Sequence, residues 1–192
     1  MGVVYEVGVG VSNRHAHLTQ ESVETLFGKG HQLTPYKPLG QPGQYAAEEK
    51  VDLVGPKCTF KGVRIIGPAR PVDQVEISMT DARTLGIDAP ICESGKLAGS
   101  ASCRIIGPEG EIEIKEGVIV ALRHIHLSVE EAIEAGVKDQ DLVDVQTYGS
   151  RPLLFQDVLI RSGPTHAREF HLDTDEANAA GISSGDCVKI IK

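Results

Sequence analysis

The chain carries one pattern twice. Arg14-His15-Ala16-His17-Leu18-Thr19 returns as Arg123-His124-Ile125-His126-Leu127-Ser128, 109 positions later (124 minus 15). Downstream, Gly67-Pro68 is matched by Gly163-Pro164. Glu76-Ile77, Asp81-Ala82 and Gly86-Ile87 are then matched at an offset of 95 (171 minus 76) by His171-Leu172, Glu176-Ala177 and Gly181-Ile182. A repeat of this length restricts the fold to one supersecondary unit built twice.

Residues i and i+2 of an extended strand point to the same face, so each His-x-His sets two imidazoles side by side, the start of a metal site. A site that arose by duplication repeats its whole ligand set, and the offset supplies the third member. His15, His17 and Glu76 form one candidate ligand group, and His124, His126 and His171 form the other. His31 and His166 fall outside the repeat and are read as ordinary surface or loop histidines. His166, close to His171 in sequence, is the better functional candidate of those two.

At 192 residues the chain suffices for one domain or two small ones, and the repeat favours two. Only 4% of residues are aromatic while glycines number 21, which with abundant Val and Ile predicts a mainly β protein of short strands and tight turns. A formal charge of −8 argues against nucleic acid or an anionic membrane as partner, since both demand a basic face. No run approaches the roughly 20 apolar residues that span a bilayer, and Met1 leads straight into a strand-like segment instead of a signal peptide. A soluble intracellular protein is expected. Cys58, Cys92, Cys103 and Cys187 show neither CxxC spacing nor a staple pattern, so they read as reduced, structurally buried thiols.

Val3 to Val11 alternates as a strand does and delivers the first His-x-His at its end. Thr19 then N-caps a helix over Gln20 to Phe27, stopped by Gly28. Ser128 with Glu131 makes a capping box for a helix closed by Gly136. Short strands are expected over Val51 to Val54, Val63 to Ile66, Gln74 to Ser78, Cys103 to Ile106 and Glu111 to Ile114, with a turn at Gly107-Pro108-Glu109-Gly110. In the second half they are expected near Leu153 to Arg161, Phe170 to Leu172 and Cys187 to Ile191. The offset drops from 109 at the histidines to 92 at Val51-Asp52 against Val143-Asp144, so the first half holds an insertion of about 17 residues (109 minus 92). Its Pro- and Gly-rich stretch, residues 30–47, reads as a lid, an interface or a plain surface loop.

Imidazole with carboxylate suits zinc, and three protein ligands with one open position is the arrangement of a catalytic site. Three neutral histidines leave the full dipositive charge, which favours an oxyanion such as phosphate or hydroxide. Two histidines with Glu76 leave a net charge of about +1, better matched to a monoanion such as a thiolate. Arg70 follows Gly67-Pro68 in a turn leading to Glu76, where its guanidinium would clamp a phosphate or else pair with surface carboxylates. Lys57, Lys61 and Arg64 make a solvated strand face or meet a nucleotide phosphate. Arg14 and Arg123 either position the histidines or form structural salt bridges. Ser94-Gly95 offers a hydroxyl and an amide to an oxyanion, or is a simple turn.

Four ordered motifs resemble a known family: Ser-Asn-Arg-His-Ala-His-Leu at 12–18, Gly-Pro-Ala-Arg-Pro-Val-Asp-Gln-Val-Glu at 67–76, Leu-Arg-His-Ile-His-Leu at 122–127 and Phe-His-Leu-Asp-Thr-Asp-Glu-Ala-Asn at 170–178. They resemble the phosphate propanoyltransferases of the PduL type, the phosphotransacylases of bacterial microcompartments. The resemblance implies two β-barrels with the first strand exchanged into the second: residues 14–121 with the insertion 30–47, and residues 1–13 with 122–192. It implies two zinc ions per chain, one on His15, His17 and Glu76 and one on His124, His126 and His171, with Arg70 holding phosphate and Ser94 assisting. The substrates implied are acyl-CoA (propanoyl or acetyl) and inorganic phosphate, with coenzyme A as the other product. A homodimer, a place in the bacterial cytoplasm or a microcompartment lumen, and shell or lumen enzymes as partners belong to the same implication. Many microcompartment members carry an amphipathic N-terminal helix ahead of the first strand; this sequence starts almost at its first barrel strand, as expected of a cytosolic relative or of a chain from which that extension is missing.

Two other readings use the same ligands. A zinc hydrolase for thioesters or amides would place hydroxide where phosphate is placed above, and a cupin-like module would merely hold a structural ion. Amidohydrolases also begin with His-x-His, but their barrel needs about 250 residues.

Overall fold

A computed structural model of the chain describes residues 5–191; Val3, with which the expected first strand opens, and Lys192 lie outside the described residues. In chain order run β1 (Tyr5–Ser12), β2 (His15–His17), α1 (Gln20–Phe27), β3 (Pro35–Pro38), β4 (Tyr45–Val54), β5 (Thr59–Gly67), β6 (Gln74–Glu76), α2 (Met79–Leu85) and β7 (Ile91–Cys92). Then follow β8 (Ala101–Ile106), β9 (Glu111–Ala121), β10 (His124–Leu127), α3 (Val129–Ala135), β11 (Leu142–Gln146), β12 (Leu154–Ser162), β13 (Glu169–Asp173), α4 (Thr174–Ala180) and β14 (Cys187–Ile191).

These elements fall into two compact units. One contains the described residues up to Ser12, Gly40–Pro42 and the described residues from Leu122 onward; the other contains Asn13–Leu39 and Gly43–Ala121. In the first of these, β1-β13-β10-β12-β11-β14 close into a six-stranded barrel. In the second, β4-β5-β2-β6-β9-β8 close in the same way, because β8 pairs with both β9 and β4. The two rings match strand by strand: β2 lies parallel to β5 and antiparallel to β6, and β10 lies parallel to β12 and antiparallel to β13. β1 lies beside β13 where β9 lies beside β6, both parallel. The fold is a duplicated β-barrel with four short helices among the described residues.

Alternation along the strands builds each core. Val7, Val9, Ile125, Leu127, Ile160, Phe170 and Val188 pack in one unit, and Leu18, Leu26, Leu53, Ile65, Val75, Leu85 and Ile105 in the other. Since Ile125 and Leu127 enter the core, His124 and His126 occupy the opposite face of β10, yet they too are buried. The same holds for His15 and His17 on either side of Ala16.

Each helix is cut to length by its caps. Thr19, Ser78, Ser128 and Asp173 accept a backbone N–H three residues on, and Gly86, Gly136 and Gly181 end their helices in the left-handed conformation. The caps expected at Thr19 and Ser128 are thus present. Helices α2 and α4 were not expected, and Ser78, read as the end of a strand, is instead an N-cap with a capping box to Asp81. Gly55 and Gly107 admit no side chain, because a Cβ there would collide with the carbonyls that close α2 and α1.

Three further expectations change. β9 extends to Ala121 instead of ending at Ile114. The insertion is not all loop: Pro35–Pro38 forms an edge strand on β4. Of the cysteines, all free, only Cys103 is buried, and burial pushes its thiol up to about 12; Cys187 is exposed. Among the described residues no helix is long and apolar enough to cross a membrane.

Candidate metal centres

The repeat brings equivalent residues to equivalent register. On the β2/β6 pair His15 stands opposite Glu76, and on the β10/β13 pair His124 stands opposite His171. With the second imidazole of each motif two residues on, a metal-competent atom from each of His15, His17 and Glu76 lies within 4.8 Å of the others, and the same is true of His124, His126 and His171. Within each pair the rings meet edge to face, at 88° for His15 and His17 and 87° for His124 and His126.

Backbone carbonyls fix three of the tautomers. Nδ1 of His15 bonds to the Asn13 carbonyl at 2.8 Å, that of His17 to Ile66 at 3.1 Å and that of His124 to Leu122 at 2.8 Å. A carbonyl only accepts, so Nδ1 carries the proton and Nε2 keeps its lone pair, as a metal ligand requires. His15 Nε2 then faces Glu76 Oε2 at 3.4 Å, two electron-rich atoms with a cation's place between them. His124 Nε2 and His126 Nε2 lie 3.1 Å apart. Two zinc–nitrogen bonds of about 2.0–2.1 Å at a tetrahedral angle separate their nitrogens by roughly 3.3 Å, so this spacing fits one ion. His126 differs in that its Nδ1 is buried without a hydrogen-bond partner.

Protonation points the same way. Burial, with the nearby His15 and Arg70, lowers His17 to about 3. Burial, then His124 and His171, pushes His126 far below the usual imidazole range. Both rings are neutral at pH 7, the form that binds metal. By donor type, separation and protonation, both groups fit zinc.

The third members have supports that lie outside the repeat as read from sequence. Gln74 Nε2 donates to Glu76 Oε1 at 2.6 Å and to Ser94 Oγ at 2.9 Å, Ser94 Oγ donates to Glu76 Oε1 at 2.8 Å, and the Gly95 N–H donates to Gln74 Oε1 at 2.9 Å. In the other unit His171 Nε2 bonds to Glu169 Oε2 at 2.6 Å, and that hydrogen bond is the main reason Glu169 lies below the ordinary carboxylate range. Gln41, buried, reaches the same carboxylate at 3.3 Å while bonding both ways to the Ala167 backbone. Gln74, Glu169 and Gln41 were missed; the one available signal was that Gln74 and Glu169 correspond at the offset of 95.

Arg14 and Arg123 are salt-bridge struts. Arg14 makes two bonds to Asp81, at 2.6 and 2.9 Å, and Arg123 bonds Glu176 at 2.6 Å, each tying the segment before a histidine pair to the helix after Glu76 or His171. Burial nonetheless raises Glu176, which Arg123 only partly opposes. The Arg70 N–H bonds to the Leu18 carbonyl at 2.8 Å, which seats its turn beside β2, and its charge contributes to lowering His17. His166 proves not to be a plain loop residue, since its ring stacks edge-on 4.4 Å from His126. His31 instead joins Glu49 of β4 at 2.8 Å and stacks on Phe27 of α1, which ties the start of the insertion to both elements. Arg64 donates to the Ala47 carbonyl and lies over Tyr36.

Two barrels that each carry three metal-competent side chains at one register define a duplicated-barrel protein with two candidate metal centres. The family model for phosphate propanoyltransferase matches residues 8–183. The phosphate propanoyltransferase of Thermotoga maritima is 54% identical over 185 residues, 96% of this chain and 88% of that protein. That of Salmonella typhimurium is 53% identical over 179 residues (93% and 85%), and that of Clostridioides difficile 47% over 186 residues (97% and 89%). The chain belongs to the phosphate propanoyltransferase family and is an acyltransferase.

Proposed function

We propose that the chain transfers a short acyl group, propanoyl or acetyl, reversibly between coenzyme A and inorganic phosphate, with two zinc ions per chain. The observation that carries this reading is the duplicated ligand register, His15 against Glu76 and His124 against His171, in a chain of this family. His15, His17 and Glu76 would hold one ion, and His124, His126 and His171 the other. Zinc held by these residues would supply Lewis-acid charge to the reacting groups.

The chain's own residues do the rest. Arg70 binds the phosphate through its planar fork and lowers the repulsion as an anion approaches the thioester. A phosphate oxygen forms the bond to the carbonyl carbon, the carbon–sulfur bond breaks, and coenzyme A leaves as thiolate. Phosphate is already anionic at neutral pH, so neither a general base nor an acyl-enzyme is needed. With an ion bound, the group containing Glu76 would carry less positive charge than the three-histidine group, which would suit the first to a thiolate and the second to phosphate. Ser94, bonded to Glu76, keeps that carboxylate in place and assists there. Free acyl-CoA and phosphate are the partners, met as a homodimer in the bacterial cytoplasm or a microcompartment lumen.

The test is whether thioester consumption requires added inorganic phosphate. Phosphate-dependent formation of acyl phosphate, trapped as a hydroxamate, supports the reading. Equal consumption without phosphate, yielding free acid, makes the chain a hydrolase, and no consumption with a single tightly closed metal makes it a binding module.

A further inference from the structure

On a strand, a residue two places before a ligand shares its face. In both units that neighbour is hydrogen-bonded to the third ligand, and the polarity of the bond is reversed between them. Glu76, which can only accept when ionised, is met by the amide of Gln74 at 2.6 Å. His171, which has an N–H to give, is met by the carboxylate of Glu169 at 2.6 Å. Ligand and neighbour therefore differ together between the halves: Gln with Glu in one, Glu with His in the other.

We propose that Gln74 and Glu169 are the positioning residues of the two metal centres, each matched in hydrogen-bond polarity to the third ligand beside it. This rests on the metal reading given above. A carboxylate on one imidazole nitrogen holds the ring, sets its tautomer and raises the basicity of the other nitrogen; an amide donor on one carboxylate oxygen leaves the other oxygen for the ion. Each positioning residue is itself held from a loop. Gln74 is gripped by the Gly95 N–H and Ser94 Oγ. Glu169 is gripped by Gln41, whose two bonds to the Ala167 backbone lock the segment Gly40–Pro42 into the same unit. A methyl group at Gly40 would overlap the Glu169 carboxylate, and one at Gly10 would press on it from the β1 side. The insertion that the second half lacks thus supplies the support for the second half's own ligand.

The experiment reads metal affinity, not turnover. Wild type and variants are loaded with zinc or cobalt, titrated with a competing chelator, and followed by elemental analysis and the visible absorption of bound cobalt. Glu169→Leu and Gln74→Leu should each weaken one ion of the two by about 10–100-fold. His171→Glu alone sets two carboxylates side by side and should leave about one ion per chain, whereas His171→Glu combined with Glu169→Gln restores the polarity match and should regain the second. Circular dichroism identifies a variant that fails to fold, in which case the paired substitution decides. A double variant no better than His171→Glu, or a folded Glu169→Leu that keeps both ions as tightly as wild type, overturns the assignment. Wild type holding two ions while the variants do not differ defeats the positioning role alone; wild type holding fewer than two defeats the metal reading and this role with it.

Discussion

His124 and His171 face each other across an antiparallel strand pair at the register that His15 and Glu76 occupy in the other unit. Both imidazoles lie on the face of their strands opposite the packed Ile125, Leu127, Phe170 and Leu172, so truncating either one leaves the hydrophobic core intact. His124→Ala or His171→Ala should abolish turnover and lose one ion per chain while far-ultraviolet circular dichroism and the cooperative thermal transition persist. Loss of all secondary structure in these variants would mark the ion as structural.

Arg70→Lys keeps the charge and loses the planar fork. A charged hydrogen bond of about 1.5–3 kcal/mol corresponds to roughly a 10–100-fold weaker apparent affinity for phosphate, with Arg70→Ala worse. The affinity for acyl-CoA and the zinc content should change little. A variant with wild-type phosphate dependence and a collapsed dependence on coenzyme A would move Arg70 to the nucleotide.

Asp81 is buried, receives both Arg14 bonds and completes the capping box of α2. Asp81→Ala should cost about 2–4 kcal/mol, since it strips the guanidinium of its partner and the helix of a cap. Arg14→Ala should cost less because Arg14 is more exposed. Chemical denaturation of the two variants and of the double variant tests the coupling.

Much of this was legible in the residues. The offsets singled out the two residue groups that the fold brings together, and Thr19 and Ser128 announced two helices by their caps. Helices α2 and α4 were not, because seven residues make two turns and show no helical period. Their caps were nonetheless written, Ser78, Asp81 and Gly86 in one half and Asp173, Glu176 and Gly181 in the other. Pro35 and Pro38 argued against a strand in the insertion, yet an edge strand tolerates both. Gln41 was beyond reach, since its partners Ala167 and Glu169 are joined to it only by folding.

Glu49 of β4, bonded to His31 and Thr34 of the insertion, carries a pH signature. Burial raises Glu49, but the Thr34 N–H, His31 and the Thr34 hydroxyl outweigh it, so the folded carboxylate titrates below its usual value. A depressed carboxylate stabilises fully above its unfolded pKa of roughly 4.3, and the contribution disappears as pH falls through the folded value. The stability gap between wild type and Glu49→Gln should accordingly be widest near neutral pH and close on acidification below about pH 4. Thermal melts of both proteins from pH 7 to pH 3 check it; a constant gap would contradict it.

Elemental analysis of protein purified without chelator tests most directly whether the duplicated barrel gives this chain two unequal metal centres. Two zinc ions per chain are expected, one lost in His171→Ala and the other in Glu76→Ala, and a wild-type chain that holds one tightly bound divalent ion or none would contradict it.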